Sequence, residues 1–132
     1  MSVAMTTDAV IERRKTVTRR KGWWTDKNGR RLLHVGDTLT LCRKVQGRKP
    51  GEPIERIAEV EVISIRREPL LAVAGPYAFE KEALVWPEVI AEGFPGMGPT
   101  EFMKRFFLDA QGIGFMDDVT RIEWRYLDGG AA

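Results

Sequence analysis

Residues 57–68 read Ile57-Ala58-Glu59-Val60-Glu61-Val62-Ile63-Ser64-Ile65-Arg66-Arg67-Glu68, and the fold turns on how their apolar side chains alternate. Successive side chains of a strand point to opposite faces, so Val60 and Val62 share one side. Beyond Val62 the apolar positions move to Ile63 and Ile65, a slip of one residue. That slip predicts a β-bulge, the extra residue by which a strand bends as its sheet curls around a barrel.

Other strands read outward from this one. Thr120, Ile122, Trp124 and Tyr126 alternate with Arg121, Glu123 and Arg125, which marks a strong last strand with Trp124 and Tyr126 in the core. Residues 38–43 place Leu39 and Leu41 on one face and Thr38, Thr40 and Cys42 on the other. Thr16-Val17-Thr18 is β-branched throughout and reads as a short strand. Lys27-Asn28-Gly29-Arg30 and Val35-Gly36-Asp37 are turn signals, with the Asp37 carboxylate expected on backbone amides. Residues 47–53 read as a loop.

Helices are short. Thr7-Asp8 is expected to cap a helix over 9–14. Pro87 opens another that ends before Gly93, and Pro99 a third, on which Phe102, Met103, Phe106 and Phe107 fall at helical spacing. The Phe102/Phe106 stripe reads as core. Strands, two or three short helices and one phase slip describe an α+β domain on a curled sheet. The expectation is a single domain over 1–132, with its core at about 10–127 and a flexible tail at 128–132.

Composition narrows the function classes. At 132 residues, 43% hydrophobic and 30% charged, the chain has the make-up of a globular domain rather than a disordered one. No apolar run approaches the roughly 20 residues that span a bilayer, and MSVAMTTDAV lacks the regions of a signal peptide. A cytoplasmic protein without a membrane partner is expected. Cys42 and His34 are each the sole residue of their type, which excludes an intrachain disulfide and any multi-cysteine or multi-histidine metal centre. The reading assigns no metal and no cofactor.

Charge is unevenly spread. Residues 1–50 hold 13 Lys/Arg against 4 Asp/Glu, and residues 51–132 hold 8 against 15. The excess is densest from Arg13 to Arg31. If those side chains converge they form a phosphate-binding surface; otherwise they are a solvated basic segment neutralised by the acidic second half. Arg14, Arg19, Arg20 and Lys21, beside Trp23 and Trp24, are the candidate nucleic-acid contacts, because bases stack on aromatic rings between cations. The alternative for at least one indole is to plug an end of the barrel.

Two segments gain meaning together. The first is Arg14-Lys15-Thr16-Val17-Thr18-Arg19-Arg20 with the later Gly36-Asp37. The second is Ala91-Glu92-Gly93-Phe94, followed by a Phe-rich helix and Thr120-Arg121-Ile122-Glu123-Trp124. In this order they resemble the ASCH family, a branch of the PUA-like β-barrels, and in particular its short stand-alone bacterial and phage members. The resemblance runs over about 10–127. It implies a small barrel with flanking helices and a cleft between them that binds RNA or a modified nucleoside. Some members are small amidohydrolases that deacylate N4-acetylcytidine. Their active cluster is a Lys, a Thr three residues on and a Glu before the second helix, which match Lys15, Thr18 and Glu92. Segments 22–34 and 70–85 depart from the compact members, the second as an extended loop.

That cluster is chemically coherent. A Thr hydroxyl needs a base to become a nucleophile, and a Lys whose pKa burial lowers is such a base. A carboxylate orients the Lys or carries a proton to the leaving amine. Residues 15 and 18 of a regular strand face opposite ways, so Lys15 must sit at a helix-to-strand corner with its stem bent inward. The leading expectation is an RNA- or modified-nucleotide-binding domain with a basic cleft, single-stranded DNA being an open variant. Its rivals are an amidohydrolase of acylated nucleosides, a metal-independent ribonuclease, and a module that docks on a host protein.

Overall fold

The computed structural model describes residues 1–43, 51, 53, 55–77 and 86–127. Within them four strands form one antiparallel sheet: β1 (Val17–Arg20), β2 (Thr38–Cys42), β3 (Arg56–Pro69) and β4 (Asp118–Tyr126), in the order β1-β4-β3-β2. The helices are α1 (Thr7–Ile11), α2 (Pro87–Ala91), α3 (Pro99–Met103) and α4 (Asp109–Gln111). The architecture is α+β, and no helix of the described residues is long and apolar enough to cross a membrane.

The bulge lies where the phase slips. Val62 pairs with Trp124 and Ser64 with the adjacent Glu123, so Ile63 is the extra residue. Ile63 stands 43% exposed while Val60 and Val62 are fully buried. The bulge lets the 14-residue β3 bend. Its first half meets β2 and the end of β4, and its second half meets the start of β4.

The curled sheet carries two apolar clusters. One joins Val10, Leu41, Val60, Val62, Ile122 and Trp124. The other lies among the helices, around Leu70, Val73, Val89, Phe102, Met103 and Phe107. The segment expected as a loop from 70 is ordered as two 3₁₀ turns over Leu70–Tyr77, kinked at Gly75. The run Leu70-Leu71-Ala72-Val73 has no charge to keep it in water, and Leu70 and Val73 pack in the second cluster. Residues 78–85, most of the loop 47–53 and the tail from 128 lie outside the described residues.

Local chemistry explains the connections. Asp26 accepts the amides of Asn28 and Arg30 and closes the 27–30 turn around Gly29. Asp37 accepts the amide of His34, with Gly36 at φ +97°. Pro87 and Pro99 stand in the first turn of α2 and α3. The helix expected over 9–14 occupies Thr7–Ile11 instead. Thr7 does not cap it, since its hydroxyl donates back to the carbonyl of Val3. After α3 the helix widens to π geometry over Lys104–Leu108, a feature that recurs at functional sites.

Candidate functional site

The site begins at the corner between α1 and β1. Arg13 adopts φ +62°, and the amides of Arg14 and Lys15 both bond the carbonyl of Ala9. The carbonyl of Lys15 accepts Trp124 Nε1 at 3.1 Å and the Tyr126 hydroxyl, so two core rings of β4 hold this corner. From there the Lys15 stem turns inward. Its Nζ donates to the backbone carbonyl of Glu92 at 2.6 Å and lies 3.5 Å from Glu92 Oε1.

Glu92 is the C-cap of α2, where free carbonyls and the helix dipole favour a cation. Gly93 at φ +107° ends the helix, and the next residue, Phe94, lines the cleft. A side chain at Gly93 would meet Thr6 Cγ2 at 3.1 Å and Ala9 Cβ at 3.2 Å. The Ala-Glu-Gly-Phe run therefore has a local reason: a capped end, a turn that only glycine fits, and an aromatic placed beyond it.

Behind Glu92 lies a buried ion network. Arg19 donates Nη1 to Glu92 Oε2 at 2.9 Å and Nη2 to both Glu88 and Glu68. Arg121 grips Glu88 with two bonds, Nε to Oε1 at 2.6 Å and Nη2 to Oε2 at 3.1 Å. The Nε of Arg19 is buried without a partner. On the other side of β1, Arg20 Nε donates to Thr18 Oγ1 at 3.2 Å and Nη2 to the Ser2 carbonyl at 2.7 Å.

These side chains open onto a cleft of about 370 Å³. Lys15, Thr18, Arg20 and Glu92 give it a polar side, and Phe94 and Phe106 give it an aromatic wall. The two rings stack with centroids 4.8 Å apart and a 30° interplanar angle. Lys15 and Thr18 share the cleft without a direct hydrogen bond. A cluster of His, Cys, Asp and Glu able to hold a metal ion is absent among the described residues.

Burial sets the electrostatics. It pushes the Lys15 ammonium below its usual pKa of 10.5, against the pull of Glu92, and the nearby Arg20 and Arg19 lower it further. Burial also lowers Arg20, partly offset by Glu92. At Glu88 burial would raise the pKa, yet the hydrogen bonds from Arg121 and Arg19 hold it at about 2. Arg121 is itself disfavoured by burial, but Glu88 raises its pKa overall.

Of the residues singled out from sequence, the structure gathers Lys15, Thr18, Glu92, Arg19 and Arg20 around one cleft. Arg19, expected as a nucleic-acid contact, lines the cleft with its side chain buried among three carboxylates, which already occupy both of its terminal nitrogens. Arg14 pairs with Glu12 and lines a separate cleft of about 520 Å³, in which Arg43 is likewise paired with Glu55. Lys21 is exposed and outside the 370 Å³ cleft.

Trp23 is half-buried against the core. Arg31 covers the ring of Trp24 at 3.5 Å. The cleft's aromatic surface comes instead from Phe94 and Phe106, the latter expected in the core. Glu68, Glu88 and Arg121 were not foreseen. Glu88 stands four residues before Glu92, a spacing that puts two carboxylates on one helix face and calls for a buried cation.

Fold and cleft together define an α+β protein with a curled antiparallel sheet and short helices around a buried charged cleft. No protein-family model matches the chain, and no curated protein does. Among solved structures it is similar to the crystal structure of protein EF3133 from Enterococcus faecalis V583, whose family model is DUF984. The match has 15% identity and a TM-score of 0.58, covering 93% of this chain and 70% of that one. At that identity the likeness speaks to the fold.

Proposed function

We propose that the cleft binds a modified nucleoside and hydrolyses an amide on its base, of the N4-acylated cytidine type. The observation that carries this reading is the placement of Lys15, a desolvated amine, in one cleft with Thr18 and Glu92, a cleft that Phe94 and Phe106 also line. The resemblance to ASCH amidohydrolases points to the same three residues. Phe94 and Phe106 supply a face for a planar base.

In the proposed reaction, neutral Lys15 takes the Thr18 hydroxyl proton as Oγ1 attacks the amide carbon. The carbon–nitrogen bond breaks, Lys15 returns the proton to the leaving amine, and the acyl group remains as an ester on Thr18. Water then attacks the ester, giving one proton to Lys15, which passes it back to Oγ1 as the carboxylic acid leaves. Glu92 holds the ammonium through both of its acceptors. Closure around substrate must bring Nζ to Oγ1, since such contacts tighten on binding.

The test is incubation with N4-acetylcytidine, followed by chromatography for cytidine and acetate. Deacylation should fall at least about a hundredfold in Lys15→Ala and be lost in Thr18→Val. The rate should rise with pH through a Lys15 ionisation below 10.5, because the neutral amine is the base, and that limb should vanish in Lys15→Ala. Failure of the wild-type protein to deacylate any N4-acylated cytidine, or full activity in Thr18→Val, would sink the reaction. A second reading, the binding of single-stranded RNA, draws on the exposed Lys21, Lys27, Arg30 and Arg31 outside the cleft. An RNA carried through the same incubation tests it: binding there should weaken as salt rises.

A further inference from the structure

Lys15, Arg19 and Arg20 face the cleft with one carboxylate, Glu92. Two of these cations are accounted for. Arg19 is neutralised by Glu68, Glu88 and Glu92, and Lys15 sits on Glu92. Arg20 differs. It meets only neutral oxygens, Thr18 Oγ1 and the Ser2 carbonyl. Among the described residues it makes no ion pair, and its Nη1 has no hydrogen-bond partner. A half-buried guanidinium without a direct ion pair, drawn only at longer range by Glu92, is held at a cost in desolvation, and its planar fork matches the oxygens of a carboxylate or phosphate.

We propose that Arg20 is the recognition residue for an anionic group, carboxylate or phosphate, on the ligand of this cleft. The substrate would then be an anionic member of the class inferred above, on which reading this inference rests. Arg20 Nε lies 3.2 Å from Thr18 Oγ1, so the anionic group sits close to the scissile amide. Two sources offer this chemistry: a carboxylate at the far end of a short dicarboxylic acyl group, and the 5′-phosphate of a nucleotide folded back toward the base. Neutral acylated nucleosides would leave the guanidinium without an ion-pair partner and bind more weakly.

Equilibrium binding without turnover tests this apart from the reaction. Two matched pairs are titrated into the full-length protein by calorimetry: cytidine 5′-monophosphate against cytidine, and succinamate against butyramide. At least one anion should bind about tenfold tighter than its neutral counterpart, as a charge-assisted hydrogen bond warrants. The pair that shows the preference identifies the source. Arg20→Gln should reduce that preference to about threefold or less, while Arg125→Gln, at an exposed position where it pairs with Glu61, leaves it intact.

Arg20 also anchors Ser2, so thermal melting of Arg20→Gln is measured alongside. If that variant is unfolded, Arg20→Lys carries the test: it keeps the charge, loses the fork and should lower the preference. Equal binding within both pairs, or a full preference in the folded Arg20 variant, overturns the proposal. An anion preference without any deacylation overturns the reaction and leaves the anion subsite standing.

Discussion

At the scale of single residues, two positions carry the geometry of the cleft. Lys15 is held by its carbonyl on Trp124 and Tyr126, so its side chain alone is free to turn inward to Glu92. Gly93 is the second, because it combines a positive φ with neighbours so close that a methyl group would have to displace them. Gly93→Ala should destabilise the protein by about 2 kcal/mol, from backbone strain plus displacement of Thr6 and Ala9. Urea unfolding of the variant measures this, and a loss below about 0.5 kcal/mol would show that the α1–α2 contact yields easily. Lys15, Thr18 and Glu92 were singled out in sequence only through the resemblance to the ASCH family. Phe94 was visible beside Glu92 but had no stated role, since only the folded turn aims its ring at Phe106.

At the scale of elements, β3 shows how one residue sets the curvature of a sheet. Val62 faces the core and Ile63 bulges out, although both are β-branched aliphatics side by side in sequence. Val62→Ala should therefore cost roughly 2 kcal/mol for its lost methyl groups and the cavity they leave. Ile63→Thr should stay within about 0.5 kcal/mol of the parent. Chemical denaturation of the two variants settles the pair, and equal losses would contradict the bulge. The bulge was readable because a period of two makes any slip visible. The π turn at Lys104–Leu108 was not, because α and π helices share apolar spacings over one or two turns.

At the scale of the whole molecule, the uneven charge along the chain resolves into contacts across it. Arg19, from the basic first half, lies among Glu68, Glu88 and Glu92 of the acidic second half. Glu88 titrates at about 2 in the fold, below its usual 4.5. Its stabilising effect is therefore complete above pH 4.5 and lost as pH falls toward 2. Glu88→Gln should cost on the order of 3 kcal/mol at neutral pH, since Arg19 and Arg121 lose a shared partner. That gap should close as acid protonates Glu88 in the parent. Denaturation of both proteins at neutral and acid pH tests this, and a gap unchanged in acid would remove Glu88 from the network.

The chain alone determined the α+β class, the strands β2, β3 and β4, the bulge and the proline-led helices. Those features rest on neighbours two to four positions apart, where steric and hydrophobic periodicity act directly. Only the tertiary structure decided which basic residues face inward. Arg19 and Arg20 are adjacent and alike in chemistry, yet Arg19 enters a cage of three carboxylates while Arg20 meets only neutral oxygens beside Thr18. The carboxylates come from segments about 50 and 70 residues away, and a charge acts through space rather than along the chain.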